Sequence, residues 1–191
     1  MLETDSKSPV NVTDDRVAHP KRWVAAVVGM NGEKKAAKQL ADLDIEHYLP
    51  IQTEVHKWSD RRKKVTKVII PMVVFLHIAE PEEQQVIRHP FIHKLLKYPG
   101  AKGHATVIPD EQIETLKFLL GNATTAVSFS ASLKTGDPVR VFRGPLMGLT
   151  GTLAEDDGSD FYEIQCPIPI LGATIVKVHK SEVERLSGKN G

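Results

Sequence analysis

Between residues 136 and 153 the chain reads Gly136-Asp137-Pro138-Val139-Arg140-Val141-Phe142-Arg143-Gly144-Pro145-Leu146-Met147-Gly148-Leu149-Thr150-Gly151-Thr152-Leu153, a stretch that leaves no room for a helix. A Gly-Asp turn feeds an alternating strand, with Val139 and Val141 on one face and Arg140 and Phe142 on the other. A Gly-Pro turn ends that strand and a Gly-x-x-Gly pair begins another. The glycines sit beside bulky residues, where a missing Cβ permits positive φ or close backbone approach. Turn signals then recur every 8 to 12 residues, at Gly151, Asp157-Gly158, Pro167-Ile168-Pro169 and Gly172. That spacing predicts a small all-β barrel over residues 134–187. Pro138, Pro145, Pro167 and Pro169 oppose any helical form of the segment.

Upstream the pattern is mixed. Residues 1–20 have few large apolar side chains and no period, and are read as a disordered leader. Trp23 to Val28 is an apolar run of strand length stopped by Gly29. Asn31 is placed to cap a helix from Glu33 to Leu43, with Ala36, Leu40 and Leu43 on one face and Lys34, Lys35 and Lys38 mostly outside it. Ile45 to Lys57 predicts a strand bent at Pro50, and Val65 to Ile78 another interrupted by Pro71, so that the two flank a basic tip as a hairpin. Pro81 and the acids after it open a short helix that stops before Pro90. Phe91 to Tyr98 is a further strand. Pro109-Asp110-Glu111 opens a last helix with an Ile113, Leu116, Leu120 stripe, ending at Gly121. The Ala, Ser and Thr-rich residues 122–133 read as a linker. The expected class is α+β: an antiparallel sheet with flanking helices over residues 21–121, tethered to a small SH3-like barrel over residues 134–187.

Charge separates the two halves. Residues 21–108 hold 15 Lys and Arg against 9 Asp and Glu, whereas residues 134–191 hold 7 against 8, so a surplus of +6 sits in the first half. Polyanion contact belongs there. Six cations (Lys57, Arg61, Arg62, Lys63, Lys64, Lys67) lie between Lys57 and Lys67 against the single Asp60, with Trp58 alongside. Clustered Lys and Arg gain affinity for phosphates by counterion release, and Trp can stack on an unpaired base. The chain carries no Walker loop, Gly-rich dinucleotide turn, Gly-x-Ser-x-Gly or paired Cys/His spacing, so neither an enzyme, a cofactor nor a metal site is expected. His89 and His93 are four apart, but Pro90 keeps them off one helix face. The single cysteine, Cys166, cannot form an internal disulfide and reads as a small buried residue. No run reaches membrane-span length and the N-terminus is unlike a signal peptide, so a cytoplasmic monomer is expected.

The stretch at Gly136 to Leu153 resembles the KOW motif of the NusG family of transcription elongation factors. Trp23, Glu33-Lys34-Lys35, Tyr48-Leu49-Pro50, Ile70-Pro71 and Ile108-Pro109-Asp110 fall where that family's N-terminal domain has similar residues. The resemblance runs from residue 21 to 187, and the polar leader and long basic hairpin are more similar to specialised antitermination paralogues of the UpxY and RfaH sort. It implies a non-enzymatic factor whose N-terminal domain binds the clamp helices of the largest subunit of RNA polymerase, bridges the cleft and suppresses pausing or termination. The implied clamp-helix patch is Val27, Val73, Phe75 and Tyr98, although Ile70-Pro71-Met72-Val73 replaces an aromatic anchor by valine. The basic hairpin would lie beside upstream or non-template DNA. The barrel would recruit a small-subunit ribosomal protein or Rho, through exposed apolar residues among Phe142, Leu146, Met147 and Ile168. The alternative is a ribosome-associated or RNA-binding KOW protein. A KOW domain on ribosomal RNA is strongly basic, whereas residues 134–191 net −1.

Overall fold

The computed structural model describes residues 19–57, 62–100, 103–132, 136–155 and 158–186. The leader up to residue 18 and the hairpin tip, including Trp58 and Arg61, lie outside the described residues.

The first half is a five-stranded antiparallel sheet with helices on both faces. Its strands are β1 (Arg22–Val28), β2 (His47–Tyr48), β5 (Val73–Ile78), β6 (Ile92–Leu95) and β7 (Val107–Ile108), in the order β2-β5-β1-β6, with β7 also pairing β1. Between β2 and β5 the chain leaves the sheet as a two-stranded ribbon, β3 (Ile51–Lys57) and β4 (Arg62–Val68). The strand expected over residues 45–57 therefore splits at Pro50. A proline cannot donate to a ladder, and β2 pairs with β5 while β3 pairs only with β4.

Central strands β1 and β5 are apolar on both faces, and each face has its own cover. Val24, Ala26, Val28, Val74, Leu76 and Ile78 pack with Ala36 and Leu40 of α1 (Glu33–Asp42) and Val86 of α2 (Glu83–Ile87). Trp23, Ala25, Val73 and Phe75 pack with Ile113, Leu116 and Leu119 of α3 (Asp110–Asn122). Two local expectations at α1 fail. Asn31 makes no cap but takes the left-handed conformation at φ 57°, a role its short polar side chain tolerates, and Gly32 is the N-cap. Leu43, just past the helix, is exposed.

The second half is a six-stranded antiparallel sheet in the order β13-β9-β10-β11-β12-β8. Its strands are β8 (Ser128–Ser130), β9 (Pro138–Val141), β10 (Thr150–Glu155), β11 (Phe161–Ile168), β12 (Gly172–His179) and β13 (Val183–Arg185). Of these, β9 and the start of β10 are the strands that the Gly-rich stretch predicts, within the all-β segment expected over residues 134–187. The stretch read as a linker contributes β8, which pairs Phe129 with Thr174 of β12, and Val127 before it is fully buried. Two glycines explain the turn-rich stretch. A Cβ on Gly151 would lie 2.6 Å from the Gln165 carbonyl and 2.7 Å from Ile164 Cγ2, so β10 approaches β11 only because none is there. Gly144 sits at φ +86° beside the Glu182 carboxylate.

One apolar cluster crosses from the first half to the second. It runs from Phe75 through α3 into Leu146, Leu149, Cys166 and Ile168 of the barrel, so α3 is covered by the sheet on one side and by the barrel on the other.

Candidate interaction surfaces

The four positions expected to form one apolar patch separate in the structure. Val27 and Val73 are register partners on β1 and β5, Val27 half-buried and Val73 buried. Phe75 is 0% exposed beneath α3, its ring 6.3 Å from that of Tyr48. Tyr98 alone is open, at 55%, its backbone N–H donating to Thr106 Oγ1. The placement of Phe75 at the surface is thus corrected. Alternation along β5 puts it on the face that α3 occupies, and a sheet covered on both sides has no apolar face to spare.

Tyr98 faces a cleft of about 450 Å³ that it shares with Gln112 of α3, with Pro167 and Ile168 at the end of β11 and with Pro169, Ile170 and Leu171 of the β11–β12 turn. Ile170 is held there at φ 63°. For a β-branched residue this conformation costs about 1–2 kcal/mol, which the surrounding packing must offset.

Of the barrel residues expected to be exposed, Phe142 and Met147 are, Met147 at 64%, whereas Leu146 and Ile168 are buried in the cluster that meets α3. Their exposure is corrected too: the barrel turns those side chains onto the helix. Three barrel cations are neutralised within it. Arg140 donates to Glu184 at 2.8 and 2.5 Å, Arg185 lies 3.0 Å from Asp137, and Lys177 lies 3.4 Å from Glu163. The Arg143 guanidinium stands 5.7 Å from the Phe142 ring centroid.

The ribbon sets Lys57 opposite Arg62, His56 opposite Lys63, Val55 opposite Lys64 and Gln52 opposite Lys67. Lys64 and Lys67 are exposed. Four of the six ribbon cations thus fall on β4 itself, and Lys57 ends β3.

Two polar arrangements escaped the sequence. Gln52, only 4% exposed, clamps the chain leading into β8: its Nε2 donates to the Thr125 carbonyl at 2.9 Å and its Oε1 accepts the Val127 N–H at 2.9 Å. Thr125 Oγ1 in turn donates to the Lys177 carbonyl on β12. At the other end of β1, Arg22 donates to Glu80 at 2.8 Å and to the buried Glu83 at 2.6 Å, and Glu83 also accepts the Ala105 N–H. The Arg22 hydrogen bond holds the Glu80 carboxyl below its usual range. Nothing distinguishes these glutamates from other helix-start acids until β1 is placed beside them. Near β2, His77 stacks on Trp23 at 4.8 Å and pairs with Glu46 at 2.7 Å, while Lys117 of α3 sits 5.2 Å from the Trp23 ring centroid. Burial, with the Glu114 charge second, pushes the neighbouring Tyr48 phenol up to about 12.

Among the described residues no three His, Cys, Asp or Glu side chains converge to hold a metal ion, and no helix is long and apolar enough to cross a membrane. Residues 21–117 match the family model described as transcription termination factor nusG. The chain belongs to the NusG family.

NusG-family proteins are non-enzymatic transcription factors that bind RNA polymerase, and membership of the family supports a role in transcription elongation for the present chain. A solved structure described as domain interaction in Thermotoga maritima NusG superposes with a TM-score of 0.53 at 19% identity, covering 87% of this chain and 97% of that one. At that identity the likeness is one of fold, with the N-terminal sheet and KOW-like barrel in the same order. The MjSpt4:Spt5 complex in conformation B aligns at a TM-score of 0.27 and 16% identity, covering 83% of this chain and 99% of that one, too loosely to argue from. No curated protein matches the chain.

Proposed function

We propose that this NusG-family chain binds the clamp helices of the largest RNA polymerase subunit through its N-terminal half, bridges the cleft and suppresses pausing or termination. Its barrel engages a separate protein partner, a small-subunit ribosomal protein or Rho. The observation that carries the reading is the exposed Tyr98, in the half of the chain that matches the family model. A large, rigid, amphipathic ring at an exposed position is the side chain best suited to anchor a protein interface. A factor that spans both sides of a hinged cleft holds it closed only by binding the closed state better than the open one. In this reading Phe75 and Val73 support the sheet from beneath, and the contact is made by Tyr98 and the half-buried Val27.

The barrel bears on the same contact. Because the β11–β12 turn lines the cleft with Tyr98, polymerase approaching Tyr98 meets the docked barrel, and the two compete for that space. Barrel residues Leu146 and Ile168 become available to a partner when the barrel leaves α3. The near-neutral charge of the barrel and its internal ion pairs favour a protein partner over the ribosomal RNA of the alternative reading.

The test is retention of the full chain on immobilised core RNA polymerase and on the isolated clamp-helix fragment. Retention on both is expected, and Tyr98→Ala should weaken it by about tenfold or more, the cost of one anchoring aromatic. Failure to bind either, with co-sedimentation on ribosomes instead, discards the polymerase reading for the ribosomal one.

A further inference from the structure

Tyr98 sits in the loop between β6 and β7, which among its described residues forms neither helix nor strand. A side chain on such a segment is placed only as well as the segment is fixed, and an anchor that has to be ordered during binding loses affinity. Two bonds join the arms of this loop. The Tyr98 N–H donates to Thr106 Oγ1 at 3.0 Å and the Thr106 N–H donates to the Leu96 carbonyl at 2.9 Å, while Lys97 Nζ donates to the Gly103 carbonyl. The arms therefore move together, and whatever holds the return arm at Ala105 and Thr106 also holds Tyr98.

The return arm is held by a buried charge. The Ala105 N–H lies 3.2 and 3.1 Å from the two carboxylate oxygens of Glu83, and Arg22 Nη2 donates to one of those oxygens at 2.6 Å. Glu83 is only 3% exposed, and Ala105 belongs to the apolar cluster that α1 and α2 cover. His104 adds a second link, its Nε2 2.8 Å from Glu80 and its Nδ1 3.5 Å from Glu83. Tyr98 itself borders the cleft on the α3 side, so the clamp and the ring it holds lie on opposite faces of the sheet.

We infer that Glu83, held by Arg22, is a positioning residue for Tyr98: it fixes the β6–β7 loop so that the ring stands in one place before a partner arrives. The inference rests on the reading of Tyr98 as the anchor of the polymerase contact and adds the residue that orders this anchor. A buried ion pair contributes little to stability over an apolar side chain of the same volume, because both charges must leave water. What the carboxylate supplies is direction. It ties β1, α2 and the return arm of the loop at a single point, through a charge-assisted bond to Arg22 and a backbone bond to Ala105 that no apolar side chain can make.

The experiment compares the full chain with Glu83→Met and Glu83→Gln by amide hydrogen exchange of the free protein and by affinity for core RNA polymerase. Methionine fills the volume of the glutamate, and Arg22 keeps its 2.8 Å bond to Glu80, so Glu83→Met folds without stranding a cation. It should speed exchange at Tyr98 and Thr106 about tenfold or more, with β1 and α3 still protected. Its affinity for polymerase should fall about two- to twelvefold, the cost of ordering one interface side chain. Glu83→Gln keeps an acceptor for the Ala105 N–H and should stay within about twofold of the unmodified chain in both measurements. In a Tyr98→Ala background Glu83→Met should cost nothing further, because there is no ring left to place, whereas a purely structural role would weaken both backgrounds alike. Unchanged exchange or affinity in Glu83→Met, a loss as large in Glu83→Gln, or the same loss without Tyr98 overturns the inference. An unchanged affinity in Tyr98→Ala alone removes the anchor reading and the role of Glu83 with it. A loss there without one in Glu83→Met leaves the anchor standing and overturns only the positioning role.

Discussion

Replacing Gln52 by alanine should loosen the barrel from the N-terminal half, and the lone cysteine offers a direct way to see it. Gln52 holds the chain entering β8 with two hydrogen bonds, and Val127 is fully buried, so Gln52→Ala strands a buried N–H. That loss costs about 1–3 kcal/mol, and the bond to the partly exposed Thr125 carbonyl adds about 0.5–1.5 kcal/mol before water replaces it. About 2–3 kcal/mol should therefore be lost from the docked state. Cys166 is buried and lines a cavity shared by Thr150 and Ile168 of the barrel with Glu111, Gln112, Thr115 and Leu116 of α3. Burial pushes its thiol up to about 12, so the docked form supplies almost no thiolate. Alkylation near neutral pH then tracks the undocked population, provided that closing outpaces reaction. At 1.4 kcal/mol per tenfold, Gln52→Ala should alkylate about 30- to 150-fold faster than the unmodified chain. In full denaturant the two should react alike. A native circular dichroism spectrum with an unchanged native alkylation rate would refute the reasoning, because the clamp would then carry none of the docking energy.

Two further outcomes follow from local geometry. Gly151→Ala places a methyl group 2.6 Å from the Gln165 carbonyl, and the strand separation it forces should cost about 1–3 kcal/mol, lowering the Tm by about 2–12 °C in thermal unfolding; an unchanged Tm would count against the close approach of β10 and β11. The hydrogen bond to His77 holds the Glu46 carboxyl below its ordinary value of 4.5. A depressed folded-state pKa stabilises above the unfolded value and loses that contribution as pH falls through the folded one, so below about pH 4.5 the stability of the unmodified chain should fall more steeply than that of Glu46→Gln. Parallel urea-unfolding midpoints for the two across that range would show that the pair contributes nothing.

Most of the elements could be read before the structure, and the exceptions have physical causes. Turn chemistry located β9, the start of β10 and an all-β segment beyond them, because Gly and Pro act locally and their consequences need no partner. The direction in which Phe75 faces could not be read in the same way. In Val73–Ile78 both faces are apolar apart from His77, so alternation sorts residues into two sets without telling which set meets solvent. Here neither does, since α1 and α2 cover one and α3 the other. Leu146 and Ile168 follow the same logic at the far side of α3. β8 was invisible for the opposite reason: Ser128-Phe129-Ser130 is short and polar, and it is a strand only because β12 offers it an edge. Gln52 reads as a surface residue in a polar ribbon, and only the chain returning 73 residues later makes it an interior one.

The strand β8 also fixes how far the barrel can travel. With β8 in place, a barrel released from Gln52 is tied to α3 by residues 123–127 alone, a leash of about 17 Å at full stretch, so it stays in the immediate neighbourhood of Tyr98. If β8 peels from β12, the free segment becomes residues 123–137 and the radius grows to about 50 Å. The local concentration of the barrel at its own docking site falls steeply with that change, while the volume in which it can meet a second protein rises. Three paired residues at the end of a sheet thus act as an adjustable tether length, short for self-association and long for capture.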